Sequence, residues 1–404
     1  MDVAALRAMI PALDADAPIT YLDNACMTLR PQPVIDRIAD YYSRTPSCGG
    51  RSVHRWGMEV SRGVAASRRR LARFIGADEA RGLAFTANAT ASMNMVAQGL
   101  DWQAGDVVIT SDREHNSNLI PWQRLAARGV EHVRIPCRDD NTWDEEAYEA
   151  AVAAAGSRLK LVSLVHVGNL DGVMIPVEDC VGPAHDVGAL VHVDGAQSAP
   201  HMPIDVSAMD VDFFSFSLHK MLGPSGLGAL WGRPELMDEL EPMIAGGGTV
   251  RSADATSHTF GASPARHEAG LGNYAGILAA EAAVDVLESL DMAEIAAHEI
   301  RINRIMSEGV ANLPGVSIIG PEDAAQRGGI CSILFDKIDP QDVGILLDES
   351  AGVFVRAGMH CVNQWFDSRG EERGSLRASA YAYNTEEDAK RFVEAMTEIV
   401  EALG

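Results

Sequence analysis

The sequence predicts an α/β protein, with a mostly parallel sheet covered by helices on both faces and a smaller α+β unit after it. Three observations carry this reading. Short apolar runs alternate with helix-like segments from Leu83 to Phe216, the pattern of parallel strands joined by crossover helices. Two of those runs stop at reactive side chains: Ala189 to Val193 ends on Asp194, and Val211 to Phe216 ends in Ser217, His219 and Lys220. A short apolar run that stops at a carboxylate reads as a buried strand presenting that group at its C-terminal edge, where open α/β sheets bind ligands. Finally, 404 residues are long for one core, and the alternation loosens after Trp231. The expected division is an N-terminal segment, 1–30, packing with the small unit; a large unit, 31–270; and a small unit, 271–404, carrying the loop around Cys361.

In order, a short helical segment leads to a brief strand or turn at Tyr21 to Asn24, and two prolines introduce a helix from about Pro33. The stretch SCGGRSVHRWG, Ser47 to Gly57, reads as a loop, with the mixture of a functional loop as much as that of a plain connection. Leu83 to Thr86 is a strand that runs through Asn88, Ala89 and Thr90 into a helix carrying Met93, Val96 and Leu100. Free backbone N–H groups and the helix dipole make that junction an anion site, although an ordinary N-cap has the same sequence; the Gly-Lys-Ser/Thr of a P-loop is absent. Asp106 to Thr110 is the next strand, with His115 and Asn118 in the loop and helix start that follow. Strands at His132 to Pro136 and Leu161 to Val167 flank an acidic helix around Glu145 to Ala155, and the second leaves Asn169 at a strand C-terminus. Pro176 to Val187 is helical. Ala245 to Val250 and Arg251 to Arg266 form a long loop or hairpin. Helices around Ile277 to Leu287 and Met292 to Leu313, strands near Val316 to Ile319 and Ile330 to Phe335, a helix at Pro340 to Leu347, a strand at Val353 to Arg356 and a helix from Thr385 to Leu403 complete the chain.

Composition narrows the function. With 47% hydrophobic residues and no long uncharged apolar run, the chain has a large interior and no membrane span, and the stretch MDVAALRAMIPALDADAP lacks the layout of a secretory signal, which predicts a cytoplasmic protein. A net charge of −24 argues against nucleic acid as a partner. Cys26, Cys48, Cys137, Cys180, Cys331 and Cys361 are scattered without a CxxC pair, so neither a metal site nor a disulfide framework is expected. Cys26, Cys137, Cys180 and Cys331 fit structural thiols; Cys48 does not, and stands as a possible secondary reactive one.

Lysine is scarce: Lys160, Lys220, Lys337 and Lys390 are the only four. Only Lys220 follows a buried strand, among Ser217, His219 and the glycines Gly223, Gly226 and Gly228. Desolvation lowers a lysine pKa, as a Schiff-base lysine requires.

The series YLDNA, EHNSN, the strand-ending Asn169, HVDGAQ, FSLHK, RAGMHC, LRAS and YNT, in that order across nearly the whole chain, resembles the class V, fold-type I pyridoxal phosphate enzymes. Within them it is similar to the SUF-type, group II cysteine desulfurases and the selenocysteine lyases. The resemblance implies pyridoxal 5'-phosphate as cofactor. Lys220 would hold it as a Schiff base and carry a proton at the substrate Cα, and Asp194 would pair with the pyridine nitrogen. His115 would stack on the ring, Asn169 and Gln197 would hydrogen-bond its 3-hydroxyl oxygen, and Thr90, Ser217 and His219 would hold the phosphate. Arg377, with Arg356 and Asn169 nearby, would take the substrate carboxylate. Cys361 would attack the sulfur of L-cysteine, keep it as a persulfide and release alanine. A sulfur-acceptor protein and a homodimer are also implied, with His54, Arg55 and the Gly246 to Thr249 loop as candidates to reach across. Three positions depart from the family pattern: Met359 replaces a histidine, Leu271 a threonine, and Gly168 a serine. Other class V chemistry, as a selenocysteine lyase, C–S lyase, epimerase or aminotransferase, remains the alternative, and a non-enzymatic sulfur-relay scaffold the third.

Overall fold

The central sheet has seven strands, in spatial order Leu83–Thr86, Gly228–Gly232, Phe213–Ser217, Leu190–Asp194, Leu159–Val165, Val107–Ser111 and Glu131–Ile135. All point the same way except Gly228–Gly232, which lies antiparallel between two neighbours. These are features of a computed structural model, which describes residues 1–14 and 19–403; residues 15–18 of the expected N-terminal segment, and residue 404, lie outside the described residues.

Alternation along the strands splits the apolar side chains between two layers. Val107 and Ile109 enter the main core with Val191, Val193, Phe214 and Phe216, while Val108 joins Leu161, Phe213 and Leu230 on the other face against Trp122. Both faces are therefore dry, which is why these strands read as apolar runs and not as alternating ones. The register sets Val165 beside Asp194 and Asp194 beside Ser215, so the carboxylate ends up at the C-terminal edge of the sheet.

The later part of the chain forms a four-stranded antiparallel sheet, ordered Val316–Ile318, Ile330–Phe335, Ser375–Ser379 and Arg356–Gly358. Helices Met292–Val310, Pro340–Ala351 and Glu386–Leu403 pack on it through Ile302, Leu347, Phe392 and Met396. Its register sets Arg356 opposite Arg377. The expected strand Val353 to Arg356 is two short pieces: Val353–Phe354 leaves this sheet to pair in parallel with Thr20–Tyr21. Leu22 buries itself in the same core, so the beginning of the chain is stitched to its end. Helix Tyr274–Leu290 follows the expected boundary at 271 but packs against Gln32–Arg44 and Arg55–Phe74 on the large unit. The segment after Ala245 is a hairpin, Val250–Ala253 with His258–Phe260. Among the described residues no helix is long and apolar enough to cross a membrane.

Candidate active site

Where the C-terminal edge of the large sheet meets the small unit, a cavity of about 240 Å³ is walled by Asp194, Lys220 and His115 on one side and by Arg356, Cys361 and Arg377 on the other. A larger one, about 460 Å³, lies behind Gln197 and Ala25, but apart from the buried Glu299 with His201 it brings together little chemistry.

Asp194 ends its strand, and its Oδ1 accepts the Ala196 N–H at 3.0 Å. Burial pushes its acid up to about 6, opposed by that N–H and by Lys220. Lys220 sits in a single 3-10 turn, Leu218–Lys220, directly after strand Phe213–Ser217. Burial pulls its amine down to about 8, against the upward pull of the Asp194 carboxylate and with Arg377 adding to the depression.

The Leu83–Thr86 strand delivers the chain to helix Ala89–Gly99, capped by Asn88, whose side chain accepts the Ala91 N–H at 3.0 Å. Ser217 Oγ accepts the Ala89 N–H at 2.8 Å, and the hydroxyls of Thr90 and Ser117 stand 2.6 Å apart. Together with His219 these groups give the cavity one end rich in hydroxyls and helix N–H groups, suited to an anion. Burial pulls the His219 imidazole down to about 4.

His115 Nδ1 accepts the Ser117 N–H at 3.0 Å, which leaves the ring proton on Nε2. Burial, with Lys220, Arg377 and Arg356 around it, holds this histidine neutral with a pKa near about 3. Asn169 donates to the His360 carbonyl and Gln197 to the Ala25 carbonyl, each at 2.8 Å. Their amide oxygens, both buried, have no partner among the described residues. Two orphaned acceptors in one wall mark a place where a ligand completes the hydrogen bonding.

Arg377 is 1% exposed; its Nη1 donates to the Asn169 carbonyl at 2.8 Å and its Nη2 to Asp23 Oδ1 at 3.2 Å, while Nε is unpartnered. The fork is thus fixed from behind. Asp23 was not singled out from the sequence, because the partner that gives it meaning lies at the other end of the chain.

Cys361 is half-buried in the cavity wall, and its carbonyl accepts the Asn116 N–H at 2.7 Å. His360 and Cys361 are consecutive left-handed residues, φ 48° and 59°, a conformation that costs free energy away from glycine. His360 precedes the thiol in sequence, but its ring is turned away to another strand. Its Nε2 faces the Ser375 carbonyl and hydroxyl, at 3.2 and 3.0 Å, and burial with Arg377 nearby pulls it down to about 2, so it brings no positive charge to Cys361. Cys26 corrects an expectation. It is not a buried structural thiol: it lines this cavity, and its Sγ takes an N–H from Arg356 at 3.1 Å. Cys180 and Cys331 are buried as expected, and Cys48 lies outside the cavity near the Tyr274 hydroxyl.

His54, Arg55 and the Gly246 to Thr249 loop do not line this cavity; His54 caps helix Arg55–Phe74 through its Nδ1 at 3.3 Å. Met359 packs with Leu170, Val362 and Phe366, and Leu271 is 71% exposed. At Gly168, an added Cβ would stand 2.4 Å from Asp171 Oδ1, so a serine there would press on the buried Arg113–Asp171 ion pair. Among the described residues no group of three His, Cys, Asp or Glu side chains is placed to hold a metal.

The family model described as Aminotransferase class-V matches residues 20–392. A probable cysteine desulfurase of Streptomyces coelicolor is 36% identical over 99% of this chain and 97% of its own length. A cysteine desulfurase of Haloferax volcanii is 37% identical over 98% of this chain and 96% of its own. Among solved structures, the apo cysteine desulfurase of Thermococcus onnurineus superposes with a TM-score of 0.93 at 33% identity, covering 99% of this chain and 98% of that one. An Escherichia coli cysteine desulfurase reaches 0.91 at 30% identity over the full length of both.

Proposed function

Because the chain belongs to the class-V aminotransferase family, we propose that it is a pyridoxal phosphate-dependent cysteine desulfurase, which takes sulfur from L-cysteine, releases L-alanine and keeps the sulfur as a persulfide on Cys361. The observation that carries this reading is that Lys220 and Cys361, from different units, face one cavity with Asp194 and Arg377.

The donor set fits the cofactor: an amine with lowered pKa, a carboxylate at the strand end, an anion-suited helix N-terminus and two orphaned amide oxygens. Lys220 would bind it, Asp194 would keep a proton on its ring nitrogen, and Ala89, Thr90, Ser217 and His219 would hold its phosphate. Asn169 and Gln197 would complete their hydrogen bonds against its ring oxygen, and His115, neutral and flat, would cover one ring face. When bound, the cofactor supplies an electron-withdrawing ring that makes the substrate Cα proton removable.

The chain's own side chains do the rest. Lys220, poised near neutrality, moves the proton at Cα. Arg377, anchored by Asp23 and the Asn169 carbonyl, keeps Nε free for the substrate carboxylate, with Arg356 beside it in the strand register. The Cys361 thiolate attacks the substrate sulfur: an S–S bond forms as the substrate's C–S bond breaks, and the carbon side leaves as alanine after taking up a proton.

The sulfur then goes to an acceptor protein, and the working form is a homodimer. Exposed Val53, Trp56, Ile244 and Leu271 support an interface that includes the 246–249 loop and His54 and Arg55. Six unpaired cysteines suit the reducing cytoplasm. The test is alanine and sulfide release from L-cysteine by the holoenzyme and by Cys361→Ser. Loss of both products in the variant is expected. Undiminished alanine from Cys361→Ser, accompanied by transamination, would favour another class V reaction, and absence of a bound-cofactor absorbance band would remove the enzyme reading.

A further inference from the structure

We propose that Cys26 is a second sulfur carrier of this cavity, loaded from the persulfide on Cys361; the inference rests on the desulfurase reading above. Cys26 lies in a turn that the fold holds firmly against the small unit. The Ala25 N–H donates to Ser379 Oγ at 2.9 Å and Asn24 Nδ2 to the Ser379 carbonyl at 2.7 Å, two residues beyond Arg377 on the same strand. That anchoring turns the Cys26 side chain into the cavity that Cys361 also lines.

Its partner is what distinguishes it from a thiol that happens to be nearby. Arg356 Nη1 reaches Cys26 Sγ at 3.1 Å, and Arg356 precedes the Cys361 loop on strand Arg356–Gly358. A guanidinium donor at that distance can hold the anionic outer sulfur of a terminal persulfide. Asn169 and Gln197, whose buried oxygens would meet the cofactor, line the same cavity, so the Cys26 thiol borders the space in which cofactor and substrate would sit. The left-handed pair His360–Cys361, φ 48° and 59°, puts strained backbone under the first thiol, and Gly358 before it, φ 116°, takes a conformation open to glycine.

The transfer balances without an oxidant. The Cys26 thiolate attacks the outer sulfur of the Cys361 persulfide. A new S–S bond forms on Cys26, the bond between the two Cys361 sulfurs breaks, and Cys361 leaves as the thiolate. The proton on the outer sulfur travels with it. One disulfide-type bond replaces another, so neither side is oxidised or reduced overall. Cys361 is then free to meet a second cysteine while the first sulfur rests beside Arg356.

The holoenzyme is incubated with L-cysteine, alkylated without reductant, digested and mapped by mass spectrometry, with cyanide-releasable sulfur counted in parallel. In wild type, peptides of both Cys26 and Cys361 gain one sulfur atom. In Cys26→Ser and Cys26→Ala only Cys361 gains it, and the releasable sulfur per chain falls to half. In Cys361→Ser neither peptide gains any. Sulfur confined to Cys361 in wild type overturns the relay while leaving the desulfurase reading intact. Sulfur on Cys26 in Cys361→Ser overturns the order of transfer and with it the proposal. Sulfur at neither site in wild type overturns both readings.

Discussion

The titration of Lys220 is the most direct test of how the cavity works. In water a lysine amine titrates at 10.5; burial brings Lys220 to about 8 even though Asp194 pulls the other way. At pH 7 the uncharged, reactive fraction therefore rises from about 0.03% to about 9%, roughly 300-fold, which corresponds to about 3 kcal/mol acting against the ammonium. The sign is fixed: as pH falls through about 8 the amine protonates and its reactivity drops. Asp194→Asn removes the carboxylate that props the value up, so the midpoint of the variant falls below about 8 and its uncharged fraction at pH 7 grows. Competitive acetylation of protein stripped of cofactor, with the Lys220 peptide quantified by mass spectrometry across pH 5 to 11, reads both midpoints. A wild-type midpoint near 10.5 would show that the amine is not desolvated. A midpoint that rises in Asp194→Asn would show that the carboxylate does not act on it, and the assignment of the pair would be lost.

Arg377→Lys keeps the charge but loses the fork that Asp23 and the Asn169 carbonyl orient, so the KM for L-cysteine rises about 10- to 100-fold, more than kcat falls, in steady-state alanine assays. Asp171→Ala leaves the Arg113 guanidinium buried at 1% exposure without its carboxylate, and costs about 3 to 5 kcal/mol in urea unfolding; a loss below about 1 kcal/mol would mean that water or a neighbour takes over the charge. Gly172→Ala places a Cβ 2.0 Å from the Arg327 carbonyl at φ 73°, and lowers stability by about 2 to 4 kcal/mol in the same measurement.

The parallel sheet was legible because its strands are dry on both faces, and Asp194 and Lys220 stood out as charged groups ending apolar runs. The strand Gly228–Gly232 was not, since its three middle residues, Ala229, Leu230 and Trp231, carry no sign of running against its neighbours. Arg377 was legible as a substrate group only through the motif around it. Its fixation by Asp23 was not, because a pairing across nearly the whole chain leaves no local pattern. Cys26 was misread for the same reason. Between Ala25 and Met27 it looks like a core thiol, and only the bonds from Ala25 and Asn24 to Ser379 turn it toward Arg356. The ring of His360 belongs to the Ser375 strand although its sequence neighbour is Cys361, another contact with no local pattern.

The pairing of Thr20–Tyr21 with Val353–Phe354 also dictates a schedule. During synthesis the strand Thr20–Tyr21 leaves the ribosome with nowhere to dock, and it waits unpaired until Phe354, more than 300 residues later, has emerged. The large sheet can assemble meanwhile from neighbouring segments, but the turn carrying Asp23 and Cys26 takes its place only when the last antiparallel strands arrive. A nascent chain stalled short of Ser379 therefore lacks the residue that anchors this turn, and with it a finished reaction chamber.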